Sequence, residues 1–206
     1  MKKEPQIYFT SDQHFYHKNI ITLENRPFTD IKSMNEFMIK QWNSVVTNEY
    51  IIYHLGDFAF ANKQKTTDIV SRLNGKKYIV LGNHDRGRNM KFYYDCGFDK
   101  VYDQNIIIKD YFILSHEPLS YMSINCPYHN IHGHCHNSPQ YMTFNIHSTC
   151  VCVERHNYLP ISMFRILKNI QILMNLLEIN KSNVINQFNL DLRSLYGKET
   201  TINKVR

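Results

Sequence analysis

Long apolar runs are missing from this 206-residue chain. None approaches the roughly 20 residues that a membrane-crossing helix requires. Met1-Lys2-Lys3 is basic, but polar Thr10 and Ser11 and charged Asp12 arrive before a signal-peptide core can build. A cytoplasmic setting is therefore expected (the host cytoplasm if the chain is viral), with no membrane partner. Cysteine is scarce and unpatterned. Cys96, Cys126, Cys135, Cys150 and Cys152 make five, an odd number without a framework spacing, which suits a reducing compartment. Cys150 and Cys152 share one face of an extended strand and are expected to be reduced and partly buried. Dense Lys/Arg runs are also lacking. The net charge of +6 comes from basic residues spread along the chain, so a polynucleotide surface is not favoured, while an acidic small substrate is compatible. There is no internal repeat and no low-complexity segment. What remains, 43% hydrophobic and 20% charged, is the composition of a globular chain able to bury one sizeable core.

Taken in order, the residues alternate between strand and helix signals. Gln6 to Thr10 is β-branched and aromatic, as is the nearly continuous apolar run Tyr50 to Leu55, and Lys77 to Leu81 reads as a third strand. Between them, Lys18 to Glu24 predicts a short helical turn. Ser33 to Glu36 has a capping-box pattern opening a helix that carries Trp42 into the core. Thr66 to Leu73 has helical spacing and stops at Asn74-Gly75, and Arg88 to Cys96 predicts another helix closed by Gly97. This repetition argues for a layered α/β core with crossover connections.

After residue 100 shorter strands follow: a hairpin over residues 105–108 and 111–114, a long loop from Leu119 to Asn130, a strand reaching Gly133, and a closing hairpin over 143–146 and 149–153. From Met163 to Leu177 an apolar stripe predicts a helix. A weaker stripe over 184–195 predicts a second one, packed on the chain's own core or on another copy. The expected organisation is one domain over residues 1–178 and a helical extension over 179–206, in a monomer or homodimer.

Several of these strands end on chemistry-bearing residues. Asp12-Gln13-His14, Gly56-Asp57, Gly82-Asn83-His84-Asp85, His116 and Gly133-His134-Cys135-His136 place five histidines, three aspartates and an asparagine at predicted loops. Asp12 and His14 are two apart, which on an extended backbone aims both to one side. Mixed imidazole and carboxylate donors suit manganese, iron, zinc, cobalt or nickel better than a thiolate-rich structural zinc site. Seven ligands, Asp12, His14, Asp57, Asn83, His116, His134 and His136, fit two ions sharing a bridging carboxylate, with positions left for water. Alternation turns the Cys135 thiol away from its neighbours. His129, His132, His147 and His156 are read as incidental.

Over residues 6–160 these blocks resemble the calcineurin-like metallophosphoesterase superfamily. The neighbouring text His17-Lys18-Asn19-Ile20-Ile21, Arg26-Pro27-Phe28 and His54-Leu55-Gly56-Asp57-Phe58 is similar to its small bacterial and phage branch. The resemblance implies a four-layer α/β/β/α sandwich with two divalent ions at one edge. Manganese is the first expectation, with iron, zinc, nickel, cobalt or magnesium as alternatives. It further implies Asp12, His14 and His136 on the first ion, Asn83, His116 and His134 on the second, and Asp57 bridging. His84 would be an acid or phosphate contact, with Asp85 steering its ring. The implied activity is phosphoester hydrolysis by a metal-bridging hydroxide, on a phosphodiester or nucleotide. A nuclease on DNA or RNA, and a non-catalytic scaffold retaining the fold, are the alternatives. Lys18, Arg26, Arg86 and Arg88 are candidate phosphate contacts; Arg26 and Arg86 stand nearest the motif blocks, beside Asn83 and His84 as substrate-binding residues. One departure is that no Asp-Arg pair follows Gly56-Asp57, as it does in many larger relatives.

Overall fold

The computed structural model describes residues 5–120, 122 and 126–176. The stripe expected over 184–195 and the extension expected over 179–206 lie outside the described residues. Two sheets carry the chain. The first has strand order β4-β3-β2-β1-β9, built from β1 (Ile7–Thr10), β2 (Ile51–His54), β3 (Lys76–Val80), β4 (Lys100–Tyr102) and β9 (Ile161–Ser162). Its first four strands are mutually parallel, and β9 pairs antiparallel with β1. The second has order β5-β6-β7-β8, from β5 (Ile106–Ile108), β6 (Phe112–Ser115), β7 (His129–His132) and β8 (Ser148–Cys150). Here β6, β7 and β8 run parallel, and β5 joins β6 by the expected hairpin. Lys109 and Asp110 turn that hairpin, both at φ 51, the positive φ that a tight right-twisted connection requires.

Five α-helices and a 3₁₀ turn (Val153–His156) complete the described residues: α1 (Lys18–Leu23), α2 (Ile31–Val45), α3 (Lys63–Arg72), α4 (Met90–Cys96) and α5 (Met163–Leu176). Strand alternation splits the core in two. Ile52 and Ile79 face α2, α3 and α4, where Met38, Trp42, Ile69 and Tyr93 meet them. Phe9, Tyr53 and Val80 face the second sheet and pack on Phe112, Leu114 and Ile131, with Ile166, Leu167 and Ile170 of α5 in the same cluster. Both faces of β2 are thus covered, which is why its sequence is apolar without alternation. Trp42 is fully buried, and its indole Nε1 donates to the Asn74 carbonyl at 3.0 Å.

Three local expectations change. The capping residue of α2 is Asp30, whose side chain accepts from the Ser33 amide, so the helix opens at Ile31. Glu36 pairs with Arg72 instead of completing a capping box, since a bidentate guanidinium outcompetes one backbone amide. Asn62 caps α3 through the Lys65 amide, so the helix opens at Lys63, three residues before the predicted start at Thr66. The closing hairpin over 143–153 reduces to β8 and a single antiparallel bridge between Phe144 and Thr149. Strand β8 instead pairs parallel with β7, because its inward residues complete the buried face of the second sheet.

The two sheets meet at one edge. Ser11, just past β1, bridges in parallel to Cys152, its amide donating to Val151 O at 3.1 Å and its carbonyl accepting from Val153 at 3.2 Å. Consequently the carboxyl ends of β1, β2, β3, β6 and β7 open onto the same side of the molecule.

Candidate metal centre

Backbone hydrogen bonds lace the loops that leave these strand ends. Asp12 donates to Gly56 O at 3.0 Å, His14 to Asp57 O at 3.0 Å and Phe15 to Phe58 O at 2.9 Å. The segment after β1 is therefore zipped onto the segment after β2. Gly133 donates to His116 O at 2.9 Å, which ties the ends of β6 and β7. The backbone here is not extended, as the two-residue spacing had suggested. Asp12 (φ 61), His14 (φ 50), Asp57 (φ 60), His134 (φ 68) and His136 (φ 40) all stand in the left-handed region. Each such residue costs about 1–2 kcal/mol relative to ordinary backbone, a strain of the kind that collects where function dictates geometry. Left-handed residues curl the loop after β1, so that Asp12 and His14, two apart, converge on one point.

Two groups result, Asp12 with His14 and His136, and Asp12 with Asp57 and His116. Asp12 Oδ1 lies 3.9 Å from His14 Nε2 and 3.7 Å from His136 Nε2, while Oδ2 is occupied by the His134 amide at 3.0 Å. Asp57 Oδ1 accepts from the His84 amide at 3.0 Å. Its Oδ2 points between the groups, 3.6 Å from His14 Nε2, 3.5 Å from His116 Nε2 and 3.9 Å from His84 Nε2. On the second side, Asn83 Oδ1 lies 2.8 Å from His116 Nε2 and 3.0 Å from His134 Nδ1. His116 Nδ1 donates to Leu55 O at 2.8 Å, which leaves Nε2 as a lone pair facing that cluster.

Electrostatics in this ion-free arrangement fit a cation. Asp12 Oδ1 and both ring nitrogens of His14 are buried without a hydrogen-bond partner among the described residues. An orphaned buried acceptor costs about 1–3 kcal/mol, so several converging in one spot call for a ligand. Burial, aided by the Asp12 and Asp85 charges, raises the Asp57 carboxyl to about 6 against the pull of His116. Burial and the cationic neighbours His136 and Arg26 push His14 far below the ordinary histidine value, keeping it neutral as a ligand must be. His136 goes the other way: burial opposes its charge, but the Glu154 hydrogen bond and the Asp12 carboxylate carry it to about 9.

Two of the candidate residues are buried beneath the centre. Arg26 does not face the open side. It is buried, its guanidinium donating to Glu154 through Nε (2.9 Å) and Nη2 (2.5 Å), to Gln13 O at 2.8 Å and to Asp12 O at 2.7 Å. These bonds hold its guanidinium against the backbone of the loop after β1. Asp85 is likewise buried, accepting from Asp57 N, Phe58 N, Gly82 N and the Tyr93 hydroxyl. Four donors meet its carboxylate, three of them amides of the Asp57 and Gly82 loops, and none is the His84 ring. Arg88 is spent on Ala59 O and Ala61 O. Arg86 and Lys18 are exposed, as are Asn83 and His84.

Two further features had no signal in the sequence, and a third extends the expected pairing of Cys150 and Cys152. Glu154 reaches His136 Nδ1 at 3.0 Å across 18 residues of chain. Phe60 stacks on His17 at 3.9 Å and borders the rings of His84 and His14. Cys152 donates to Asp12 Oδ2 at 3.3 Å and sits 3.3 Å from Cys150 Sγ, both thiols reduced and buried.

Gly82 shows how little room the centre leaves. A Cβ there would fall inside contact distance of Asp57 Oδ1 and 2.7 Å from the Asp57 amide nitrogen. Gly82→Ala is expected to lose about 1–3 kcal/mol of stability through overpacking. It should also weaken divalent-cation uptake by about 10-fold or more by displacing the Asp57 carboxylate from its ligand group. Thermal melts and calorimetric titration measure the two; unchanged uptake in a folded variant would contradict the packing.

A family model described as calcineurin-like phosphoesterase matches residues 5–191. The chain belongs to the calcineurin-like phosphoesterase family. It is 35% identical over 173 residues to the uncharacterised protein MJ1445 of Methanocaldococcus jannaschii, covering 81% of this chain and 92% of that one. It is also similar to the gene 66 protein of Mycobacterium phage L5, 30% identical over 81 residues, 38% of this chain and 39% of the phage protein. Among solved structures, the protein of unknown function AQ665 from Aquifex aeolicus superposes with a TM-score of 0.62 at 32% identity, spanning 81% of this chain and all of that one. Calcineurin-like phosphoesterases use divalent metals on phosphoester substrates, and the two ligand groups are where this chain can hold them. No helix among the described residues is long and apolar enough to cross a membrane.

Proposed function

We propose that this calcineurin-like phosphoesterase hydrolyses a phosphodiester or a nucleotide phosphoester with two divalent ions, manganese first among the candidates. The observation that carries this reading is the placement of Asp57 Oδ2, within 3.5–3.6 Å of a histidine nitrogen from each ligand group. A carboxylate oxygen shared in that way is what a bridging ligand needs. Asp12, His14 and His136 would hold one ion and Asn83, His116 and His134 the other. When bound, such a pair supplies Lewis acidity, lowering the pKa of water toward neutrality and offsetting charge that develops on phosphoryl oxygens.

The chain's own residues do the rest. His84, with its side chain 47% exposed and Nε2 on the open side of Asp57, is placed to hold a proton for the departing oxygen. Asn83, turned inward through Oδ1, keeps its Nδ2 amide for a phosphoryl oxygen. Exposed Arg86, two residues beyond His84, supplies a cation at the rim. Without an Asp-Arg pair after Asp57, any substrate contact that larger relatives make there must come from another residue.

The test is a screen of the metal-reconstituted protein against p-nitrophenyl mono- and diesters, cyclic nucleotides and short RNA. Turnover of small diesters or nucleotides supports the reading. Cleavage confined to RNA, with affinity falling steeply in salt, would make it a nuclease. Folded, ion-loaded protein inert toward every ester would leave a scaffold that retains the fold.

A further inference from the structure

Arg26 and Glu154 form an ion pair with side chains 0% and 2% exposed. A buried pair of this kind is a weak source of stability, because desolvating both charges offsets most of their attraction. Hydrophobic residues of similar volume would serve the core as well. What distinguishes this pair is where its remaining hydrogen bonds end. Arg26 Nη1 donates to Gln13 O at 2.8 Å and approaches Met34 Sδ at 3.6 Å, and Nη2 donates to Asp12 O at 2.7 Å. Glu154 Oε1, besides gripping the guanidinium, accepts from His136 Nδ1 at 3.0 Å. The pair therefore ties the backbone of the Asp12–His14 loop to the ring of His136, and those three side chains are one complete ligand group.

We propose that Glu154, anchored by Arg26, is a positioning residue dedicated to one of the two ion sites. It fixes the ring tautomer and orientation of His136, so that Nε2 faces Asp12 Oδ1. With Nδ1 carrying the proton toward Glu154, the Nε2 lone pair is directed into the site, 3.7 Å from Asp12 Oδ1. The neighbouring Arg155 supports the same element from the other side, donating to His136 O, Ser138 O and Tyr141 O. Among the described residues the matching position behind His116 is held by the neutral carbonyl of Leu55, not by a carboxylate. The asymmetry gives the inference its distinctive consequence: removing the Glu154 charge should loosen one ion and spare the other.

This inference rests on the two-ion reading above, and the experiment separates them. Metal-free parent and Glu154→Gln, a variant of equal size that keeps an acceptor oxygen, are titrated with MnCl₂ by calorimetry, with circular dichroism as the check on folding. The parent is expected to take up two ions. The variant should bind one with parent-like affinity and the other about 10–100-fold more weakly. Glu154→Asp, which keeps the charge on a shorter arm, should recover part of that loss, and it carries the test should Glu154→Gln fail to fold. Two ions bound by a folded variant as tightly as by the parent would overturn the role of Glu154 and leave the two-ion reading intact. Equal weakening of both ions would reduce Glu154 to a general structural support. A parent that binds fewer than two ions would bring down both.

Discussion

Asp57→Asn is expected to abolish phosphoester turnover while leaving a folded protein. The amide has the size of the carboxylate, and its oxygen can still accept from the His84 amide, the bond that Asp57 Oδ1 makes at 3.0 Å. Local geometry therefore survives. What is lost is the anionic oxygen placed 3.6 Å from His14 Nε2 and 3.5 Å from His116 Nε2. A bridging ligand contributes to both ions at once, so its loss should weaken both. Forfeiting several kcal/mol of Lewis-acid stabilisation corresponds to a fall in kcat/KM on the order of 10³-fold. The metal-free protein should behave in the opposite sense. Asp12 and Asp57 are two buried carboxylates in one ligand group, and neutralising one relieves their repulsion. Its melting temperature without metal is expected to equal or exceed that of the parent. Full activity in Asp57→Asn would show that the bridging assignment is wrong.

The second large effect concerns His84, and it depends on the leaving group. The His84 side chain is 47% exposed and stands 3.9 Å from Asp57 Oδ2. Its ring packs edge-on to His14 at 5.5 Å and against Phe60 at 4.9 Å, so the imidazole is held at the mouth of the centre. A proton donor matters most when the departing oxygen is a strong base. General acid catalysis contributes about 10²–10⁴-fold, so His84→Ala should lose that much with an alkyl or ribose ester. With a p-nitrophenyl ester, whose phenolate leaves without help, the loss should be far smaller. Ion uptake should stay at the parent level in both cases. An equal loss on both ester classes would identify His84 as a phosphate contact instead of the acid.

Residue chemistry was readable in the chain; the means of assembling it was not. Asp12, His14, Asp57, Asn83, His116, His134 and His136 were nominated from blocks at strand ends, and the structure gathers them all within one edge. The reason offered for Asp12 and His14, a shared face of an extended strand, is not how it happens. Left-handed backbone at both residues turns them together, and positive φ in Asp and His leaves no mark in a hydrophobic pattern. Arg26 and Asp85 illustrate the same limit. Each lies near the motif blocks, yet burial and saturation by partners were invisible. Arg26 meets Glu154 across 128 residues, and Asp85 meets Asp57 across 28.

Local interactions explain what the sequence by itself determined. Strand and helix order follows from apolar period, the helix stop at Gly97 from glycine at φ 103, and the metal-competent donor set from residue type alone. Tertiary structure decided which of these side chains converge, which are buried against other partners, and that Glu154 reaches the ring of His136. Those outcomes depend on two sheets meeting at Ser11 and Cys152, 141 positions apart. Contacts across such distances are set by the packing of whole layers, and no short window of residues encodes them.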